Sequence, residues 1–203
     1  VIIEQTKIEV SSMVTMIEDV FLKLEESLKE KDKIAKYNDS IVEAEDKLDL
    51  YEKEIYDSNF SLLSKSLSKE LIEDTRMNLL TCDEYETIGD YQNRIANRLY
   101  MLYENSIELD ETRAKMTFKL HSLTVELFND ISRAARTGEK ELYPIGIKKY
   151  QILKTYYKEV KREHFSRSEN IPARLNTGYL DIINYYKRIA DHIYNIIEYV
   201  MKI

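Results

Sequence analysis

The stretch KRIADHIYNIIEYV, Lys187 to Val200, sets isoleucine at positions 189, 193, 196 and 197, with Val200 behind them. That is the spacing of one buried helical face. At about 100° per residue, Asp191 points directly away from this face, with Lys187, Asn195 and Glu198 beside it. Ile189, Ile193 and Ile196 are therefore predicted to be core, and Asp191 exposed or ion-paired. The polar stripe is either the wet side of a helix or a site.

A second copy of the pattern lies about a hundred residues earlier. DEYETIGDYQNRIANRL, Asp83 to Leu99, aligns with NYYKRIADHIYNIIEYV, Asn184 to Val200. Ile88 then meets Ile189, Gly89 meets Ala190, Asp90 meets Asp191 and Ile95 meets Ile196. LDLYEKEI (Leu48 to Ile55) aligns with LKTYYKEV (Leu153 to Val160), and MIEDVF at Met16 matches LTVELF at Leu123 more loosely. Three helices thus repeat as three more, over residues 1–108 and 109–203.

Composition agrees with helices. Of 203 residues, 33% are charged, while glycine occurs four times and proline twice. So few breakers favour long helices over strands and turns. Six are predicted: Glu4 to Ala35, Ile41 to Leu63 opened by Asn38, Asp39 and Ser40, and Ser68 through Leu102. The others are Glu111 to Arg136 stopped by Gly138, Glu139 to His164, and Tyr179 to the end after a loop holding Pro172 and Gly178. Short connections make neighbours antiparallel, so the predicted fold is all-α, a six-helix up-and-down bundle of two tandem three-helix units.

The net charge of −7, with both signs interleaved, leaves no basic cluster for nucleic acid. A lone Cys82 cannot form an internal disulfide and reads as a plain helical cysteine. No run approaches the ~18 apolar residues of a membrane span, and no signal peptide is visible. The chain opens on Val1 inside what reads as a helix already under way, which suggests a piece of a longer protein.

Two three-helix units whose last helices carry E-x-I-(G/A)-D-x-x-x-x-I resemble the PhoU family. The motif stands as ETIGDYQNRIAN at Glu86 and KRIADHIYNIIE at Lys187. EVSSMVTMIEDVF near the start and KEVKREHFSR before the last helix look like the PhoU-like C-terminal cytoplasmic domain of bacterial sodium/phosphate cotransporter proteins. The resemblance implies a regulatory, non-enzymatic accessory role in phosphate uptake, on the cytoplasmic side of the inner membrane. Its implied partner is the membrane transporter portion of the same or a related protein, with a homo-oligomer also compatible. It further implies a metal ion on the acidic motif.

The residues fit that chemistry in the first unit. Glu86 and Asp90 stand one helical turn apart, so their carboxylates share a face with Asp83. Glu45, Asp49 and Glu52 form a comparable row on the second helix. Facing each other, Glu45, Asp49, Glu86 and Asp90 would offer oxygen ligands to Mg²⁺, Mn²⁺, Ca²⁺ or an iron ion. The plain alternative is a solvated charged face. In the second unit Lys187 replaces Glu86, Lys154 replaces Asp49 and Tyr150 replaces Glu45, and an ammonium cannot ligate a metal. Asp191 is expected to pair with Lys154 or Lys187, so a metal is expected in the first unit or nowhere. His164 is expected to cap its helix or approach His192. Neither Glu-x-x-His pairs, a phosphate loop nor a nucleophile elbow is present. The rival readings are a metal-dependent enzyme on the first unit's carboxylates and a metal-free helical interaction module.

Overall fold

Residues 2–202 are described by a computed structural model. They form six helices: α1 (Ile2–Lys29), α2 (Lys33–Leu63), α3 (Lys69–Glu104), α4 (Glu111–Thr137), α5 (Leu142–Ser166) and α6 (Ala173–Met201). No strand occurs among the described residues. Helices α1, α2 and α3 pack on one another, as do α4, α5 and α6; α3 against α6 and α1 against α4 join the two sets. The predicted all-α bundle is the fold observed.

Local chemistry places most of the ends. Ser68 accepts a hydrogen bond from the amide of Leu71 and opens α3, and Asp110 does the same for Arg113 and α4. Gly138 closes α4 in the left-handed conformation, φ 76°, which a side chain would disfavour. Pro144 sits in the first turn of α5, where its missing amide costs nothing.

Two boundaries differ from the sequence reading. Asn38, Asp39 and Ser40 do not start a helix; they lie inside α2, which begins at Lys33, while α1 already stops at Lys29 rather than Ala35. Ile34, Ile41, Leu48 and Ile55 are all buried at seven-residue intervals, and that stripe carries the helix straight through the polar trio. The Ser40 hydroxyl instead donates back to the Tyr37 carbonyl at 2.9 Å. Likewise α6 begins six residues before Tyr179, at Ala173, with Pro172 at its N-cap. Gly178 is a buried helical residue, not a loop residue, and it lets Met101 of α3 close in: a Cβ there would lie 3.1 Å from the Met101 methyl.

The core runs through both sets. Ile189, Ile193, Ile196 and Ile197 of α6 are buried, as the opening pattern requires. Between the sets, Phe21 of α1 meets Phe128 of α4 edge-on at 5.5 Å, and Tyr85 of α3 meets the same ring at 5.9 Å. The buried Gln92 amide donates to the Ile17 carbonyl at 3.0 Å. Gly89 fits the motif sterically, because a Cβ there would stand 2.2 Å from the Leu48 side chain of α2.

Matched positions do matched work. Asn59 near the end of α2 is buried and donates to Thr6 of α1 at 2.9 Å. At the corresponding place His164 of α5 is buried and accepts from the Arg113 guanidinium of α4 at 3.1 Å.

Ile193→Ala should lower unfolding free energy by ~2–5 kcal/mol, the range for removing a large apolar core side chain. Asp191→Asn, which weakens a partly exposed ion pair, should cost roughly 1 kcal/mol or less. Urea denaturation measures both, and equal losses would mean the helix face has been assigned wrongly.

Candidate functional site

The helices α2 and α3 run antiparallel, and their acidic rows face each other. Glu45 on α2 lies in the field of Asp49 beside it and Asp90 opposite, and Glu52 in that of Asp83 opposite. Glu86 sits between Glu52 and Asp49. Burial, and then the charges of Glu52 and Asp49, push the Glu86 carboxyl up to about 7. Burial and neighbouring carboxylates also raise Glu45 and Glu52 above the usual range.

Little inside the protein relieves this repulsion. Asp90 pairs with Arg94 at 3.0 Å, one turn along α3. Among the described residues Glu45, Asp49, Glu52, Asp83 and Glu86 have no Lys or Arg ion pair. Their hydrogen-bond donors are neutral: Tyr56 to Asp83 at 2.7 Å and Thr87 to Glu86 at 3.3 Å. As the side chains stand, no three carboxylates among the described residues are gathered into a finished ligand set. The arrangement is a row of oxygen donors, mostly without a cationic partner, whose chemistry is that of a hard-cation ligand.

The second unit shows what the same geometry does with other residues. Tyr150, at the place of Glu45, donates to Asp191 at 2.7 Å, across the same pair of positions as Glu45 and Asp90. Tyr157, at the place of Glu52, donates to Asn184, at the place of Asp83. Lys187 grips both oxygens of Asp191, at 2.6 and 2.7 Å. Asp191 thus pairs with Lys187, one of the two expected partners. The other, Lys154, instead lies over the Tyr150 ring at 5.3 Å. Sequence reasoning missed the Tyr150 hydroxyl, although its place opposite Asp191 in the repeat alignment was the available signal. The groove of the second unit is neutralised from within.

The remaining polar candidates are structural. His164 does not approach His192; its second nitrogen meets the Asn176 side chain at 2.7 Å, and burial lowers its basicity. His192 lies instead 2.7 Å from Glu84, which also receives Asn195 and Tyr199, the latter at 2.6 Å. Glu84 is thus a buried carboxylate tying α3 to α6, unforeseen because it stands off the acidic face. His121 is buried, held by Tyr186 at 2.8 Å, and burial pushes its pKa down to about 4. Cys82 is fully buried beside the Met13 sulfur at 3.7 Å, and burial raises its thiol pKa, so it is no nucleophile. A cavity of about 880 Å³ lies between Val10, Met77, Tyr85, Tyr143 and Tyr199 and touches none of the acidic rows. A small ion held in an open groove requires no cavity of that size.

Comparisons with known proteins follow the architecture. The PhoU domain model matches residues 10–99 and 118–200, a stretch in each half of the chain. No curated protein matches in sequence. Among solved structures, PhoU from Pseudomonas aeruginosa is similar over 98% of this chain and 95% of its own, with a TM-score of 0.90 at 17% identity. The phosphate transport system regulatory protein PhoU from Streptococcus pneumoniae is similar over 98% of this chain and 93% of its own, with a TM-score of 0.84 at 20% identity. The family match spans most of both three-helix sets, and the chain belongs to the PhoU domain family.

Proposed function

We propose that this chain is a non-enzymatic regulator of phosphate uptake, attached to or acting on a sodium/phosphate cotransporter at the cytoplasmic side of the inner membrane. We further propose that the acidic groove of its first unit senses a divalent or iron-type cation. The phosphate role rests on family membership and on the named role of the Streptococcus pneumoniae relative. No helix among the described residues is long and apolar enough to cross a membrane, so the transporter contact would be made from outside the bilayer core.

One observation carries the cation reading: Glu86, raised to about 7, stands among carboxylates without a cationic partner, while the matched groove holds Lys187 instead. Glu45, Asp49, Glu86 and Asp90 would hold the ion, and the ion would supply the missing positive charge. This chain's own contribution is to fix two helices so that their acids line one groove. Bound there, the ion would supply positive charge between α2 and α3, and the charge of that groove is what a transporter could read. Deleting this domain from cells that carry the transporter should alter phosphate uptake or its response to phosphate supply. Unchanged uptake in both conditions would remove the regulatory reading.

Titration calorimetry with Mn²⁺ should show a single binding event that Asp49→Asn with Glu86→Gln abolishes. Replacing the second unit's lysines, Lys154→Asp with Lys187→Glu, should add a second event. If the wild type binds one ion and this variant still binds one, charge alone does not decide the site.

A pH dependence follows from the same crowding. Folding raises the Glu86 pKa above its ordinary 4.5, so the fold favours the neutral acid. That contribution is complete below about 4.5 and is lost as pH rises through about 7. In chelator, the melting temperature should therefore fall across this interval, and Glu86→Gln should flatten the fall. Saturating Mn²⁺ should restore the loss in the wild type only.

A further inference from the structure

The two helical hairpins that close the two units differ sharply. The α2–α3 hairpin has the sequence NFSLLSKSLSKELI from Asn59 to Ile72, and the α5–α6 hairpin has HFSRSENIPARL from His164 to Leu175. Phe60 and Phe165 occupy matching places and both are exposed, so an exposed phenylalanine alone distinguishes nothing. Beyond it the first hairpin adds Leu62, Leu63, Leu67, Leu71 and Ile72. The second has Ile171 and Leu175 but also Arg167, Glu169 and Arg174, and it turns Arg167 onto Thr112 and Arg174 onto Asn105.

The first hairpin is also uncovered. Phe60 is 76% exposed, more than any other large apolar residue described, and Leu63, Leu71 and Ile72 are exposed with it. The α3 residues that share a cavity with the second unit begin at Glu73, so the hairpin projects past the level where the two sets meet. Its apolar groups come from the end of α2, the turn and the start of α3. They cluster at the turn, and neither the cavity beside Tyr85 and Tyr199 nor the one beside Arg98 and Gly178 includes them.

Charge separates this tip from the rest of the surface. The chain carries −7, yet the twelve residues Ser58–Lys69 contain Lys65 and Lys69 and no acid. Asp57 and Glu70 flank the stretch. An exposed apolar tip that carries two lysines and no acid is complementary to a deformable, anionic surface, into which leucine and phenylalanine sink while lysines reach the headgroups. The start of α1 lies at the same end, held by Thr6 against Asn59.

We infer that the α2–α3 hairpin docks on an anionic lipid surface, inserting Phe60, Leu63 and Leu67 and pairing Lys65 and Lys69 with lipid phosphates. This deepens the membrane-side reading given above and rests on it only for the presence of a bilayer nearby. The matched α5–α6 hairpin points to the opposite end of the bundle, beside Asn105 and Thr112, and stays in water.

The protein has no tryptophan, so a single introduced one reports on its own site. Phe60→Trp should shift its emission to the blue on phosphatidylglycerol vesicles, weakly or not at all on phosphatidylcholine vesicles, and less as salt is added. Phe165→Trp should shift on neither. In co-sedimentation of the unlabelled 203-residue chain with phosphatidylglycerol vesicles, Lys65→Glu with Lys69→Glu should lower the partition coefficient by roughly tenfold or more. Leu63→Asp should lower it as well, while melting like the wild type. No shift for Phe60→Trp on phosphatidylglycerol, or equal shifts at both tips, would overturn the inference. So would self-association without lipid that Leu63→Asp abolishes, which would assign the tip to a second copy of the chain. The assay contains no transporter, so its failure leaves phosphate regulation standing, and a failure of the uptake test leaves the tip standing.

Discussion

Along the seam between α3 and α6, Glu84 meets Asn195, Tyr91 meets Arg188 and Arg98 meets Asp181 at 2.7 Å, a single antiparallel register held from end to end. Beneath these polar pairs the isoleucines of α6 are sealed from water. Burying so long an apolar stripe is a large favourable contribution, and α6 makes it against α3 as well as against α4 and α5 of its own set. The seam therefore fixes how the two units sit. It also leaves the opposite faces of α3 and α6 to carry whatever the sequence places there.

That division of labour explains why the site lies where it does. A helix that buries one face against its twin and another against its own unit keeps only a narrow outward groove. In the first unit this groove is the α2–α3 line of carboxylates, and in the second it is the α5–α6 line of Tyr150, Lys187 and Asp191. The backbone register is shared, since Tyr150 reaches Asp191 just as Glu45 lies opposite Asp90. Duplication gave the fold two grooves. In one, like charges are held together and only Asp90 has a cationic neighbour, Arg94; in the other, a lysine and a tyrosine satisfy the single remaining acid. Charge held against its own repulsion costs stability and invites a ligand, whereas a satisfied pair costs little and invites none.

The same duplication separates the two ends of the molecule. Asn59 with Thr6 and His164 with Arg113 perform one task, anchoring a hairpin to the first helix of its unit. Beyond that anchor nothing in the core dictates the residues of the tip. The apolar tip of one unit and the charged tip of the other are therefore free to differ without disturbing the bundle.

Sequence alone determined the helices, their pairing into two units and the acidic rows, because all three are periodic. A 3.6-residue period places Ile189 and Asp191 on opposite faces, and a repeat puts Asp90 where Asp191 stands, with no tertiary knowledge required. It failed where a local signal competed with a distant one. Asn38, Asp39 and Ser40 have the chemistry of a helix start, but burying Ile34 and Ile41 against the other helices outweighs a cap. Gly178 has the chemistry of a loop, but close approach to α3 keeps it helical. Partner choice was equally hidden. Whether Asp191 takes Lys154 or Lys187, and whether His164 turns to His192 or to Arg113, depends on side chains from separate helices meeting within about 3 Å, the reach of a hydrogen bond. Helical periodicity assigns a face to each residue; only the packed bundle decides which faces meet.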